Sequence, residues 1–85
     1  MKEIEIGEVN DYFANIGVVA ITVTAEGISV GDTLHFKGHT TDFTQKIDSM
    51  QVEHDQVEDA PPGSQVGIKV RDRVRATDKV YKVLE

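Results

Sequence analysis

Residues 43–54, Phe43-Thr44-Gln45-Lys46-Ile47-Asp48-Ser49-Met50-Gln51-Val52-Glu53-His54, read as one long β-strand that changes phase part-way. Phe43, Gln45 and Ile47 share a parity, whereas Met50, Val52 and His54 have the opposite one. Strand side chains alternate between two faces, so one extra residue reverses them. A β-bulge near Asp48-Ser49 would return both halves to a single core. Working outward, the same alternation recurs. Ile4, Ile6 and, after Gly7, Val9 open the chain. Residues 16–24 are rich in β-branched side chains, with Val19, Ile21 and Val23 on one face. Leu34 and Phe36 oppose His35 and Lys37. Val66, Ile68 and Val70 alternate with Gly67, Lys69 and Arg71, and the chain closes on Lys79-Val80-Tyr81-Lys82-Val83-Leu84.

The punctuation agrees. Asn10-Asp11 and Ala14-Asn15 bend the chain around Tyr12-Phe13. Glu26-Gly27, Gly31-Asp32, Gly38 and Pro61-Pro62-Gly63-Ser64 are turn chemistry. Short strands between such turns predict an all-β fold, and exposed edges favour closure. The expected architecture is a closed six-stranded, mostly antiparallel Greek-key β-barrel over residues 1–85, one domain. Its core should hold Ile6, Val9, Val19, Ile21, Val23, Leu34, Phe36, Ile47, Met50, Val52, Val66, Ile68, Val70, Val80 and Val83. Residues 53–60 are expected to be an acidic connection with room for a helical turn. One internal echo stands out. Val30-Gly31-Asp32-Thr33-Leu34-His35 matches Ala76-Thr77-Asp78-Lys79-Val80-Tyr81, one turn-into-strand device used twice.

Composition bounds what such a domain can do. The chain has 85 residues, is 39% hydrophobic and 28% charged, and carries a net charge of −6. It has no stretch of ~18 apolar residues, so no membrane span is expected. The charged residues from Lys2 onward argue against a signal peptide. With no cysteine there are no disulfides and no thiolate chemistry, and the cytoplasm is the expected setting. Charge is unevenly placed. Residues 1–68 carry twelve acidic and three basic side chains, a net of −9. Lys69, Arg71, Arg73, Arg75, Lys79 and Lys82 make the remainder basic. The acidic balance argues against generic nucleic-acid binding, while the basic stripe could meet phosphates or an acidic protein.

Catalytic chemistry is sparse. Gly-x-Ser-x-Gly and the P-loop pattern are both absent, so no nucleotide or other cofactor is expected. His39, Asp42 and His54 are the candidates for a small metal-dependent enzyme, but they complete no ligand motif, and no metal is expected. A ligand-free structural oligomer is a further alternative. The most distinctive polar segment is Phe36-Lys37-Gly38-His39-Thr40-Thr41-Asp42-Phe43. It reads as a hairpin loop whose Thr and Asp side chains bond the local backbone. It also offers a contact surface, with Phe43 or His39 to stack on and Lys37 beside them.

The order of motifs resembles a known family. Gly7-Glu8-Val9, Gly17-Val18-Val19-Ala20-Ile21, Ile28-Ser29-Val30-Gly31-Asp32-Thr33-Leu34, Lys46-Ile47-Asp48-Ser49-Met50-Gln51 and Ala60-Pro61-Pro62-Gly63-Ser64-Gln65-Val66-Gly67-Ile68 follow one another. That order resembles the second-domain β-barrel of translation GTPases of the elongation-factor-Tu type. It is closer still to small translation elongation factor-like proteins, which carry a segment similar to Lys37–Phe43 and a basic Arg-Val-Arg, here Arg73-Val74-Arg75. A similar barrel is appended to collagenase-like peptidase relatives that take part in RNA modification. The resemblance implies a non-enzymatic module that binds RNA, tRNA or the ribosome, or a translation or RNA-modification protein. Its binding residues would be Lys37, His39, Thr40, Thr41, Asp42, Phe43, Arg71, Arg73 and Arg75, and the close strand approach of such a barrel is assigned to Gly63 and Gly67.

Overall fold

The computed structural model describes residues 2–84; Met1 and Glu85, the ends of the expected domain, lie outside the described residues. The fold is all-β and antiparallel. Its strands are β1 (Glu3–Phe13), β2 (Val18–Val23), β3 (Ile28–Ser29), β4 (Thr33–Lys37), β5 (Asp42–Lys46), β6 (Met50–Val52), β7 (Asp55–Val57), β8 (Asp59–Ala60), β9 (Gln65–Lys69) and β10 (Lys79–Val83). Eight of them form one sheet in the order β5-β4-β10-β1-β2-β9-β6-β7, and β3 pairs with β8 in a second, two-stranded sheet. Residues 53–60 are thus two short strands rather than a helical turn.

The expected closed six-stranded barrel is not what forms. The phase slip between Phe43 and His54 is a change of partner. The chain pairs with β4 as β5, leaves the ladder at Ile47–Ser49, and pairs with β9 as β6. Ile47 and Met50 both reach the core, as the parity demanded, but β5 and β6 are joined by the covalent chain and not by a ladder. Ile47 bonds back to the turn before β4, donating to the Asp32 carbonyl at 2.8 Å and accepting from Gly31 at 2.9 Å. The Gln45 side chain bridges the remaining gap, donating to the Lys69 carbonyl at 2.7 Å and accepting from the Arg71 N–H at 2.8 Å. A side-chain amide stands where a barrel would have backbone pairs.

The core follows the alternation. Ile6, Val9, Val19, Ile21, Val23, Leu34, Phe36, Ile47, Met50, Val66, Ile68, Val70 and Val80 are buried, joined by Ile28, Ala60 and Val74. Val52 packs against this cluster while half-buried, and Val83 is half-buried outside it. Two register shifts in β1, at Ile6 against β10 and at Asn10 against β2, reset its parity. Tyr12 therefore packs on the core and Phe13 turns outward.

The two echoed segments are one device. The Ser29 N–H donates to the Asp32 carboxylate at 2.8 Å and the Asp32 N–H returns to the Ser29 carbonyl at 3.0 Å. The Arg75 N–H donates to the Asp78 carboxylate at 2.9 Å and the Asp78 N–H returns to the Arg75 carbonyl at 3.1 Å. The third residue of each turn lies in the left-handed region, Gly31 at φ 100° and Thr77 at 75°. Each turn launches one strand of the β4–β10 pair, at opposite ends of it.

Close approach falls on Gly7, where a Cβ would run into the Thr22 carbonyl. It does not fall on Gly67 or Gly63: a Cβ on Gly67 would stand 3.6 Å from Val18 Cγ1, and nothing lies within 4 Å of one on Gly63, which answers only a positive φ of 94°. Among the described residues no helix is long and apolar enough to cross a membrane.

Candidate functional site

Two segments distant in sequence meet at the tip of the β4–β5 hairpin. Lys37 and Asp42 face each other in register, and the Gly38 N–H closes the loop between them on the Thr41 carbonyl at 2.8 Å. Lys37, His39, Thr40 and Asp42 are exposed, whereas Thr41 is only 4% exposed. Against the loop lies the irregular stretch 70–78, pinned by the buried Val74. Arg71, Arg73 and Arg75 therefore do not form a stripe on a strand face.

Their contacts are mostly internal. Arg75 Nε donates to Thr40 Oγ1 at 2.8 Å. Arg71 Nη2 donates to the Thr44 carbonyl at 2.8 Å, and its guanidinium stands 5.9 Å from the Phe43 ring centroid. Arg73 joins Thr40, Thr41, Asp42, Phe43 and Asp72 around an open cleft of ≈ 270 Å³. The nine residues singled out in the sequence converge on one end of the molecule, and two of the three arginines lash the hairpin down. Phe43 is no exposed platform. It is half-buried and stacks on Phe36 with centroids 5.1 Å apart.

Asp42 has a partner that the sequence reading passed over. His35 Nε2 lies 2.5 Å from Asp42 Oδ1, and its Nδ1 lies 2.7 Å from Glu3 Oε2. Both ring nitrogens face carboxylate oxygens, which only the imidazolium satisfies with two donated bonds. The Asp42 hydrogen bond raises the His35 pKa above its ordinary 6.5; partial burial opposes this and Glu3 adds to it. The same hydrogen bond lowers the Asp42 carboxyl. The cluster ties β1 and β5 together across β4 and β10, beside the Tyr81 ring 6.2 Å away. The signal was present in the alternation, which sets His35 outward between Leu34 and Phe36, but pairing across strands is invisible without the register.

With Asp42 engaged, the trio of His39, Asp42 and His54 does not assemble. His54 sits in the β6–β7 turn at φ 71°, and among the described residues no group of three His, Cys, Asp or Glu could hold a metal ion. A second concavity of ≈ 410 Å³ opens between the tip of the β1–β2 hairpin and that turn, with Phe13, Ile16, Val18, Ala20, Gly67 and His54 among its lining.

Comparison with known proteins redirects the functional reading. No family model matches. The chain is 35% identical over 85 residues to an uncharacterized protease of Methanocaldococcus jannaschii, a match covering 99% of this chain and 21% of that protein. It is 30% identical over 82 residues to a collagenase of Porphyromonas gingivalis, covering 95% of this chain and 20% of the other. Among solved structures, the C-terminal domain of a Geobacillus thermoleovorans protein assigned to the U32 peptidases superposes with a TM-score of 0.87 at 23% identity. That match covers 93% of this chain and 91% of the other. Its selenomethionine variant gives 0.84 at 22% identity, over 91% and 96%.

These findings overturn the translation-factor resemblance, and with it the reading as a non-enzymatic, RNA-binding translation module: the relatives carry protease and collagenase names. The physical reason is that the matched motifs are structural. Val30-Gly31-Asp32 is a carboxylate-capped turn, and Lys46–Gln51 is the place where the strand changes partner. Any sheet with this turn and this partner change would show them. The chain spans about a fifth of the length of the curated relatives it matches, and over nearly all of its own length it is similar to a stretch of proteases and to the fold of a U32 peptidase C-terminal domain.

Proposed function

We propose that this chain is a polypeptide-binding β-domain that serves a peptidase of the U32 kind. One observation carries the reading: 99% of the chain aligns at 35% identity with 21% of a protease, so a single folding unit corresponds to a single stretch of a much longer peptidase. The Leu84 N–H donates to the Lys2 carbonyl at 2.8 Å, so the unit's first and last described residues pair with each other. The Porphyromonas relative's name gives polypeptide as the class of substrate, and we extend that class to this domain. A second contact in this reading is the hairpin end, where the exposed Lys37, His39 and Arg73 would meet the peptidase portion. A cytoplasmic setting suits a chain without cysteine.

The test is complementation in the Porphyromonas collagenase. The fifth of that protein that aligns with this chain is deleted, then replaced by residues 1–85. Cleavage of denatured collagen should fall on deletion and recover in the chimera. A chimera no better than the deletion, or a deletion without effect, refutes the proposal.

A further inference from the structure

We infer that the groove between the β1–β2 and β6–β7 hairpin tips is the site at which this domain takes an extended polypeptide segment, one whose apolar side chains are flanked by Lys or Arg. This rests on the reading above and names its site and ligand class. One wall is the β1–β2 tip, where Phe13 is 47% and Ile16 is 62% exposed. The backbone that carries them is held in place. The Ile16 and Gly17 N–H groups both donate to the Phe13 carbonyl, at 3.2 and 2.9 Å, and the Gly17 carbonyl accepts from Val70 at 2.9 Å. A fixed backbone under two large apolar groups lowers the ordering cost of a contact.

The opposite wall is the β6–β7 turn. Glu53 and His54 form the two-residue loop between the paired Val52 and Asp55, and both have positive φ, 51° and 71°, the geometry of a type I′ hairpin turn. The floor is the pair Ala20 and Gly67, neighbours in register. Nothing in the fold demands glycine at 67. Its φ is not positive, and a Cβ would make ordinary contact with Val18 Cγ1 at 3.6 Å and lie 4.0 Å from the Gln51 carbonyl. What the missing side chain provides is depth. The lining also includes the polar Asn10, Gln51 and Gln65, and apolar surface joined by convergent polar groups is how proteins build ligand sites.

Charge selects the occupant. The groove lining contains Glu53 and no Lys or Arg, and residues 1–68 carry twelve acidic against three basic side chains. An acidic ligand would be repelled; a segment with Lys or Arg beside its apolar residues would be drawn in.

Gly67→Val tests this, because valine suits a strand and a Cβ there makes only ordinary contacts, so its side chain should fill the floor. Phe13→Ser/Ile16→Ser removes the wall as a second variant. Circular dichroism and melting confirm that each is folded. A random twelve-residue peptide library is selected on the wild-type chain, and the best peptide is titrated into isotope-labelled protein followed by NMR. Enriched peptides should combine apolar residues with Lys or Arg, shift the amides of Val18, Ala20 and Gly67, and bind each variant at least ~10-fold more weakly. Enrichment of acidic flanks, no enrichment, equal affinity for Gly67→Val, or a wild-type dimer that Gly67→Val dissociates would each overturn the inference. Peptides that bind elsewhere would overturn the groove and leave the peptidase reading standing, whereas failure of the wild-type chimera strikes that reading itself.

Discussion

Gly38→Ala should be destabilising in the native sequence and stabilising once Asp78 is gone. A Cβ on Gly38 would land on the Asp78 carboxylate. That carboxylate cannot swing aside cheaply. Asp78 is 5% exposed, its Oδ2 accepts the Arg75 N–H at 2.9 Å, and its backbone carbonyl accepts the Val9 N–H at 2.8 Å. Breaking the hydrogen bond to the charged acceptor costs ~1.5–3 kcal/mol, and forcing extra volume into packed surroundings costs ~1–3 kcal/mol. Against this stands the lower chain entropy of unfolded alanine, ~0.4–1 kcal/mol, which applies because Gly38 is not in the left-handed region. The net for Gly38→Ala is a loss of roughly 1.5–5.5 kcal/mol. In an Asp78→Ala background the obstruction is absent, and the same change should gain ~0.4–1 kcal/mol. Urea denaturation of the wild type, both single variants and the double variant gives the coupling directly. If Gly38→Ala costs the same in both backgrounds to within ~0.5 kcal/mol, the contact does not exist as described.

Three further expectations follow from the same geometry. Thr77→Gly should raise stability by ~0.5–1 kcal/mol, since a β-branched residue at φ 75° is relieved of ~1–2 kcal/mol and glycine returns part of that as entropy; an unchanged urea midpoint would count against strain in that turn. The stability contributed by the His35 imidazolium should be fully present below its ordinary pKa of 6.5 and vanish as pH rises through the higher folded value. Asp42, whose folded pKa is lowered, contributes above its ordinary 3.8 and loses that contribution as pH falls through the lower value. His35→Gln should therefore flatten the decline above pH 6.5 in a melting series, and a variant that tracks the wild type across that range would disprove the linkage. Leu34→Ala removes a fully buried side chain and should cost ~3–5 kcal/mol, measurable as a fall in Tm of ~4–8 °C per kcal/mol in a domain this size.

Alternation carried the core, because a buried face repeats every second residue whatever the partner strand. Thirteen of the expected core residues are buried where parity put them, and Ile47 and Met50, on either side of the break, both reach the core as the phase slip required. The paired turns at Asp32 and Asp78 were legible for a similar reason: the device is local and its side chain is named in the sequence. What escaped was pairing at a distance. Nothing in Asp42 says that it meets His35 rather than His39, and nothing in Lys46–Gln51 says that the chain changes partner instead of bulging. Val74 was overlooked because it stands alone among Arg71, Arg73 and Arg75, with no period to mark it. The candidate site at the hairpin end was found as a place, but its arginines proved to be largely internal fastenings, and the more open apolar surface around Phe13 depended on two register shifts in β1.

The partner change at Ile47–Ser49 gives the domain a natural seam. Asp48 and Ser49 are exposed and belong to no ladder. A cut between them would leave β1–β5 on one piece and β6–β10 on the other. The pairs β1–β10, β10–β4, β2–β9 and β3–β8 would then all run between the two pieces, and neither piece alone retains a closed hydrophobic interior. The seam thus defines a split protein, two halves that gain structure only by reassembling with each other, so that proximity of whatever each half is fused to can be read from the return of the fold.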